Sequence, residues 1–397
     1  MSENVWIAGG GVICGIGQNL AQCLDAFEKM QPGMGTMRHL HSVHAQTFPV
    51  VEVKADNNEL AQRAGLPAHL SRTALLSMIA AKEAWDSTGL GDIAQYRAGF
   101  VSANTVGGMD KTEHFFEAFV EDNSKGRLRE VVHHECGSIT ELVADAMGIR
   151  HHVSTISTAC SSGANALMYG ARMISNGLLD VVIAGGTDAL TRFTLNGFNT
   201  LMILDQQKCR PFDDTRTGLN LGEGAGYVVL VADRLAEKIK PWCRLSGFAN
   251  ANDAYHQTAS SPDGTGNYLA MQGALQMSGL QPADIGYINL HGTGTQNNDS
   301  SEGLAIVRLF EKDYPPVSST KSFTGHTLGA SGGIEAVLSA CALKEGIIYP
   351  NAQFATQMKE LPFSPVTAFS RGHALQHVMS NSFGFGGNCS SLVFSKQ

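Results

Sequence analysis

The 397-residue sequence predicts an α/β fold in which helices cover β-sheets. Short runs rich in β-branched residues and bounded by glycine are typical of buried strands, and they occur at residues 5–8, 98–101, 181–184, 227–230, 287–290 and 391–394. Stretches of small residues with helical spacing lie between them, at residues 75–85, 163–175, 267–277 and 333–344. Alternation of the two kinds of element favours layers of helices packed on sheets.

Composition limits what kind of protein this is. With 43% hydrophobic and 16% charged residues, the chain can bury one large core or two fused ones. No apolar run approaches the roughly 20 residues that cross a bilayer, and the first residues, from Met1 to Asn4, lack the positive flank of a signal peptide. We therefore expect a cytoplasmic protein with no membrane span. The net charge of −8 argues against nucleic acid as a partner.

Neither the cysteines nor most of the histidines form a recurring metal-binding pattern. The eight cysteines include no C-x-x-C pair, so most of them should be reduced, buried and inert. Histidines cluster at 39–44, 133–134 and 151–152, but no acidic or cysteine set with metal spacing accompanies them. We expect no metal site and no cofactor.

The chain shows a weak internal similarity that indicates a duplication. Residues 158–167 and 328–337 share the spacing of small residues before a predicted helix. The segment 238–244, which contains Pro241, is a plausible join. We predict two halves, residues 1–240 and 241–397.

Cys160 is the strongest candidate nucleophile. The segment 154–167 is typical of a strand, a sharp turn and a helix, with Cys160 in the turn. A helix N-terminus favours the thiolate over the thiol. The sequence therefore predicts a lowered thiol pKa. The alternative is a packed core thiol, the usual state of a free cysteine.

Two histidines stand in turns that should expose the imidazole. His291 follows a predicted strand within Asn289-Leu290-His291-Gly292-Thr293-Gly294-Thr295, and His326 precedes a helix within Lys321-Ser322-Phe323-Thr324-Gly325-His326. A dinucleotide-binding site at Gly9-Gly10-Gly11 was the competing hypothesis, but that segment lacks the third glycine of the fingerprint.

Taken together, these motifs resemble one enzyme family. Cys160, His291, Lys321 and His326 occur in this order, and three further motifs accompany them: Arg210-Pro211-Phe212-Asp213, Gly222-Glu223-Gly224-Ala225-Gly226 and Asn381-Ser382-Phe383-Gly384-Phe385-Gly386-Gly387. The sequence resembles elongating β-ketoacyl-carrier-protein synthases of the ketosynthase I/II type, nearly end to end. Within that group it is similar to fatty-acid enzymes and to ketosynthase subunits of type II polyketide or aryl-polyene-like systems.

The resemblance implies a thiolase-like fold of two similar halves in a five-layered αβαβα sandwich. It implies a decarboxylative condensation of the acyl chain on one carrier protein with the malonyl unit on another, through an acyl-Cys160 intermediate. His291 and His326 would donate to the enolate, and Lys321 would act electrostatically.

Further residues take roles by the same resemblance. The amides of Cys160 and Phe385 would hold the oxyanion, and Phe383 and Phe385 could gate the acyl pocket, unless they are only core aromatics of a tight turn. The remaining candidates are substrate contacts (Thr293, Thr295, Val106, Phe198) and orienting carboxylates (Asp299, Glu302, Glu335). Gln296-Asn297-Asn298 stands where these enzymes usually have Pro-Leu-Gly.

The expected partners are an acyl carrier protein and a second subunit. An acidic carrier could meet the basic cluster Lys125, Arg127 and Arg129, which could equally be a solvated loop, or else Arg63, Arg72 or Lys208. The chain would form a homodimer, or a heterodimer with a ketosynthase-like chain-length factor. The alternative function is a non-catalytic, chain-length-determining subunit, which the presence of Cys160 disfavours.

Overall fold

The computed structural model describes residues 4–396. The leader prediction rests partly on Met1–Glu3, which lie outside the described residues together with Gln397. The first part of the chain carries β1 (Val5–Cys14), α1 (Leu20–Glu28), α2 (Asn57–Ala64), α3 (Arg72–Asp86), β2 (Ala98–Ala103), α4 (Met109–Glu121), α5 (Cys136–Ala146), β3 (His152–Ile156), α6 (Ser162–Ser175), β4 (Val181–Asp188), α7 (Arg192–Thr200), β5 (Gly224–Ala232) and α8 (Asp233–Ala236). The second part carries β6 (Cys243–Asn252), α9 (Thr265–Ser278), β7 (Tyr287–Asn289), α10 (Gln296–Phe310), β8 (Val317–Ser318), α11 (Lys321–Thr324), α12 (Ser331–Glu345), β9 (His377–Gly384) and β10 (Asn388–Ser395).

The strands form two five-stranded groups of matching order. The order across the sheet is β3-β2-β4-β5-β1-β6-β10-β9-β7-β8. Only Trp6 and Ile7 of β1 pair with β6, at Arg244 and Cys243. In each group the two pairings farthest from the β1–β6 contact are parallel, and the two nearest to it are antiparallel. Strands β1 and β6 therefore occupy equivalent positions in their groups.

Helices separate and cover the two groups, which makes five layers. Both α6 and α12 contact strands of each group, so they form the central layer. On one outer face α3 packs on β1, β4 and β5, and on the other α9 packs on β6 and β10 with α10 beside it. The fold is the five-layered αβαβα sandwich expected from the resemblance.

The predicted elements are confirmed, with one error at the join. Each of the six predicted strands and four predicted helices coincides with an observed element, to within one residue at residue 290. The predicted join 238–244 was drawn too long, because Cys243 already pairs in β6. The boundary at 240/241 stays a prediction. In residues 4–396, no helix is both long and apolar enough to cross a membrane.

Glycine at close contacts between layers brings the site together. A Cβ on Gly163 of α6 would lie 2.4 Å from the backbone nitrogen of Gly333 on α12, so only glycine lets these helices meet. The Gly9-Gly10-Gly11 run lies inside β1, and a Cβ on Gly11 would be 2.3 Å from the carbonyl of Ala80 on α3. These glycines let β1 pack closely on α3. Because they lie inside a strand, they do not form the phosphate-binding turn of a dinucleotide site.

Candidate active site

The turn before α6 presents Cys160 from a strained backbone. Ala159 adopts a left-handed φ of 53°, which is uncommon for a residue with a side chain. The hydroxyl of Ser162 stabilises this turn, because it accepts from the Thr158 amide at 2.7 Å and donates to the Ala159 carbonyl at 2.5 Å. Ser161 Oγ donates to the side chain of Asn388 on β10 at 2.7 Å, and so ties the turn to the other half.

Cys160 is buried, and the residue is only 5% exposed. Burial raises the pKa of the Cys160 thiol to about 11, although the charge of Lys321 and the amides of Phe385 and Cys160 act to lower it. The prediction of a lowered pKa is therefore wrong for the free protein. Its physical reason is desolvation, and α6 begins only at Ser162, two residues beyond the sulfur.

His326 is held against Cys160 in one tautomer, and both it and His291 are buried rather than exposed as their turns predicted. Nε2 of His326 lies 3.1 Å from Sγ of Cys160. The Leu328 amide donates to Nδ1 at 3.1 Å, so a neutral ring carries its proton on Nε2, facing the sulfur. Burial and then the charge of Lys321 hold the pKa of His326 well below its ordinary value, which favours that neutral ring.

His291 stands beside His326 and is fixed through Lys321. The two imidazole centroids are 5.5 Å apart and the rings are perpendicular. Lys321 Nζ lies 3.2 Å from Nδ1 of His291 and also contacts Glu335 Oε1. Burial, Lys321 and His326 together hold the pKa of His291 well below its ordinary value. A lysine that donates to Nδ1 leaves the proton of His291 on Nε2, so both histidines can donate into the cavity.

Two buried carboxylates hold the loop that carries His291. Glu302 accepts from the amides of His291 and Gly292 at 2.9 and 2.8 Å. Asp299 accepts from the amides of Thr293 and Gly294 at 3.0 and 3.1 Å. Burial raises the pKa of Glu302 to about 7 and also raises that of Asp299. Both contact the backbone of the loop, whereas Glu335 contacts Lys321 directly.

A cavity of about 330 Å³ joins these groups to the surface. Cys160, His291 and His326 line it. The apolar wall consists of Phe198, Met202, Ile203, Leu219, Phe383 and Phe385, and the polar wall includes Thr258, Ser260, Thr293, Thr295, Gln296 and Asn297. Phe198 stacks on Phe385 with centroids 5.8 Å apart and meets His326 edge-on at 6.4 Å. Oγ1 of Thr293 and Thr295 are 2.9 Å apart.

Val106 is the one predicted substrate contact that does not line this cavity. Its amide instead hydrogen-bonds Asp188. Asp188 escaped the sequence analysis, yet it also accepts from the amides of Thr105 and Gly329, at 3.0 and 2.7 Å. Burial raises its pKa to about 7, and its charge raises that of Cys160. The signal in the sequence that could have identified Asp188 is its position as an acidic residue at the end of the apolar strand β4.

One candidate for carrier binding is wrong. Arg72 is only 6% exposed, and its guanidinium is engaged by Glu223 at 2.7 Å and by the Val53 carbonyl at 2.8 Å. Glu223 belongs to the glycine-rich motif at 222–226, so that motif has a structural role. The other candidates, Lys125, Arg127, Arg129, Arg63 and Lys208, are exposed, and their role stays a prediction.

The histidine clusters at 39–44, 133–134 and 151–152 contribute to no set of three close metal-ligating groups within residues 4–396. The set that does arise is Cys160, His291 and His326, whose ligand atoms lie within 4.8 Å of one another. The Lys321 charge beside it opposes a cation, and burial, followed by that charge, lowers the pKa of both histidines. That the site works without metal or cofactor stays a prediction.

Comparison with known proteins identifies the relatives of this chain. Residues 50–236 match the β-ketoacyl synthase N-terminal domain, and residues 242–355 match the C-terminal domain of the same family. The 3-oxoacyl-[acyl-carrier-protein] synthase 2 of Vibrio harveyi is 31% identical over 414 residues, with 99% of both chains covered. The enzyme of the same name from Staphylococcus aureus is 37% identical over 249 residues. That alignment spans 60% of this chain and 60% of the relative's length.

Solved structures agree on the whole fold. The ishigamide ketosynthase/chain length factor superposes with a TM-score of 0.95 at 25% identity, over 100% of both chains. The ketosynthase ApeO in complex with its chain length factor ApeC, from Xenorhabdus doucetiae, gives a TM-score of 0.85 at 29% identity, over 100% of this chain and 98% of that one. The sequence matches and the fold lead to one conclusion: this chain belongs to the β-ketoacyl synthase family.

Proposed function

We propose that the protein is a β-ketoacyl-[acyl-carrier-protein] synthase that elongates a fatty-acyl, polyketide or polyene chain. One observation supports this above the others: the Cys160 thiol lies 3.1 Å from Nε2 of His326, in a cavity that His291 also lines. A nucleophile and two hydrogen-bond donors around one cavity fit acyl transfer followed by carbon–carbon bond formation.

In the first step, Cys160 attacks the thioester of the acyl carrier. The carbonyl oxygen becomes an oxyanion that the amides of Cys160 and Phe385 stabilise; both already lower the pKa of the sulfur. The bond to the carrier sulfur breaks, and the proton of the Cys160 thiol leaves with the carrier thiol. Removal of one such donor typically lowers the rate about 10² to 10³-fold.

In the second step, the malonyl carrier loses carbon dioxide. The electron pair of the broken bond forms an enolate, whose oxygen accepts from Nε2–H of His291 and of His326. The enolate carbon then attacks the acyl group on Cys160. The products are a chain longer by two carbons on the carrier and a Cys160 thiolate, which takes a proton from solvent.

The polar wall suits the arm that carries both substrates. Thr293 and Thr295 line the passage from the surface to Cys160, so their hydroxyls can hydrogen-bond the amides of phosphopantetheine. Phe198, Phe383 and Phe385 form the apolar side nearest the nucleophile. Asp299 and Glu302 orient the loop that carries His291, and Glu335 orients Lys321.

We also propose two macromolecular partners, an acyl carrier protein and a second chain of the same fold. The names of the relatives support this, because they include synthases of carrier-bound chains and a ketosynthase in complex with its chain length factor. Exposed apolar side chains lie on α4 and on the edge strand β3, including Phe116, Val120 and Val153, which are 61%, 66% and 36% exposed. A homodimer and a heterodimer would both cover them. We expect the protein to work in the cytoplasm.

The deciding experiment measures intact mass after incubation with acyl carrier, for the wild type and for Cys160→Ala. Cys136→Ala is the matched control, because Cys136 is a half-buried cysteine outside the cavity. We expect an acyl adduct on the wild type and on Cys136→Ala only. Addition of malonyl carrier should discharge it with release of carbon dioxide.

The non-catalytic alternative makes the opposite prediction. A subunit that only sets chain length would form no Cys160 adduct, alone or with its partner. Absence of the adduct in both preparations would therefore overturn the proposed function and leave the family assignment.

A further inference from the structure

The two amides proposed to hold the oxyanion belong to separate segments of the chain. The Cys160 amide lies in the turn before α6, and the Phe385 amide lies in the turn 385–387 between β9 and β10. Burial raises the pKa of the Cys160 thiol, whereas the charge of Lys321 and these two amides lower it. Both donors must lie within about 2.7–3.1 Å of the same oxyanion, so the spacing of the two turns matters.

The two turns lie directly against each other. A Cβ on Gly384, the last residue of β9, would lie 3.1 Å from the Cys160 amide nitrogen and 3.1 Å from the Thr158 carbonyl oxygen. Gly384 is also the strand partner of Asn388, the first residue of β10. Phe385 is therefore held between a residue that packs on the Cys160 turn and the start of β10.

The side-chain oxygen of Asn388 accepts three hydrogen bonds. Ser161 Oγ donates to it at 2.7 Å, Asn165 Nδ2 at 2.8 Å and Asn250 Nδ2 at 2.7 Å. These donors lie in the Cys160 turn, on α6 and on β6. Polar networks whose members are satisfied hold a structure rigid, so three donors from three elements fix the start of β10 relative to the Cys160 turn.

Asn165 extends this network to the other side of the same turn. Its Nδ2 also donates to Thr158 Oγ1 at 2.8 Å, and its Oδ1 accepts from Ser390 Oγ at 3.0 Å. Thr158 and Ser161 flank Cys160 in the chain. Strand β10 is therefore joined to the turn on both sides of the sulfur.

We propose that Asn388 is a positioning residue that sets the distance between the amides of Cys160 and Phe385, and so controls acylation. This inference rests on the proposed function, in which those amides stabilise the oxyanion of acyl transfer. A misplacement of about 1 Å can lower a rate about 10²-fold, even when the change lies away from the reacting atoms. If the network served only to stabilise the sheet, its loss would affect both half-reactions alike.

The two half-reactions depend on different donors. Acylation of Cys160 builds charge on the oxygen that the two amides hold. Malonyl decarboxylation builds charge on the oxygen that His291 and His326 hold. Those histidines are fixed instead by Lys321, which lies 3.2 Å from Nδ1 of His291, and by the Leu328 amide, which lies 3.1 Å from Nδ1 of His326.

Asn388→Ala removes the accepting oxygen, and single-turnover kinetics measure both steps. We expect acylation of Cys160 by an acyl carrier to slow about 10 to 10²-fold, while decarboxylation of the malonyl carrier changes little. Ser246→Ala is the matched control, because Ser246 bonds Ser395 Oγ at 2.6 Å at the other end of the same two strands, β6 and β10. Neither rate should change in that variant.

Ser161→Ala tests the same contact from the other side. It removes the donor that joins the Cys160 turn directly to Asn388, and it should also slow acylation more than decarboxylation. In the double variant Ser161→Ala/Asn388→Ala, acylation should fall by less than the product of the two single losses, because both substitutions delete one shared hydrogen bond.

The position of the Phe385 amide can be tested without any carrier substrate. Against the effect of burial, that amide lowers the pKa of the Cys160 thiol, so its displacement leaves less thiolate at a given pH. We expect iodoacetamide to alkylate Cys160 about two- to fivefold more slowly in Asn388→Ala than in the wild type at the same pH. Peptide mass spectrometry measures both rates.

Equal losses in the two half-reactions, or unchanged acylation in Asn388→Ala, would overturn the proposal. A double variant whose loss equals the product of the single losses would also overturn it. A wild type that neither acylates nor decarboxylates would refute the proposed function instead. Alkylation would then decide whether Asn388 positions the Phe385 amide, and an unchanged alkylation rate would show that it does not.

Discussion

Nε2 of His326 lies 3.1 Å from Sγ of Cys160, although 166 positions separate the two residues in the chain. Cys160 precedes α6 and His326 precedes α12, the two helices of the central layer. Gly163 and Gly333 let those helices approach closely at their first turns. The contact between Cys160 and His326 is thus a consequence of how the two helices pack.

The Cys160 thiol should react slowly at neutral pH in the free protein. Burial raises its pKa to about 11, so the thiolate fraction increases with pH up to that value. We expect the rate of alkylation by iodoacetamide to rise about tenfold per pH unit between pH 7 and 9. Peptide mass spectrometry of the residue measures it, and a rate that is already constant at pH 7 would contradict the assigned pKa.

His326→Ala should separate the two half-reactions. Loss of its donor to the enolate should lower malonyl decarboxylation by about 10² to 10³-fold. Acylation of Cys160 should fall less, because the amides of Cys160 and Phe385 remain as donors. Single-turnover rates of each step measure this split. Equal losses in both steps would mean that His326 acts mainly on the nucleophile.

Gly163→Ala should destabilise the central layer. Its Cβ would lie 2.4 Å from the Gly333 nitrogen, a backbone atom that cannot easily move, and we expect a loss of about 1–3 kcal/mol in the free energy of unfolding. Gly197→Ala in α7 is the control, because no atom lies within 4 Å of the new methyl group. That substitution should stabilise by about 0.5–1 kcal/mol. Urea unfolding curves compare them, and equal stability of the two variants would contradict the close contact.

Asn297→Ala should loosen the polar rim of the cavity. The Asn297 side chain accepts from the Ser260 amide at 2.8 Å and donates to its carbonyl at 3.0 Å, so it holds the loop before α9. We expect faster amide hydrogen exchange at residues 257–261 and a higher KM for the malonyl carrier. Gln296→Ala is the neighbouring exposed control for the exchange measurement. If exchange is unchanged by Asn297→Ala, the two hydrogen bonds do not hold the loop.

The sequence by itself determined the α/β class and the positions of the main strands and helices, and it singled out Cys160, His291, Lys321 and His326 as the candidate site residues. Periodic apolar runs and the glycines that bound them are local signals, and the order of the motifs indicated the family. Strand β9 went unrecognised because Ser380, Asn381 and Ser382 interrupt its apolar pattern, although all three are buried.

Only the tertiary structure decided the thiol pKa, the burial of Arg72, the place of Val106 and the role of Asp188. Each depends on contacts between segments far apart in the chain: the buried Arg72–Glu223 pair joins residues 151 positions apart. Desolvation arises only when the layers pack. A local pattern therefore identifies the candidate reacting groups, while the packed layers set their ionisation and their partners.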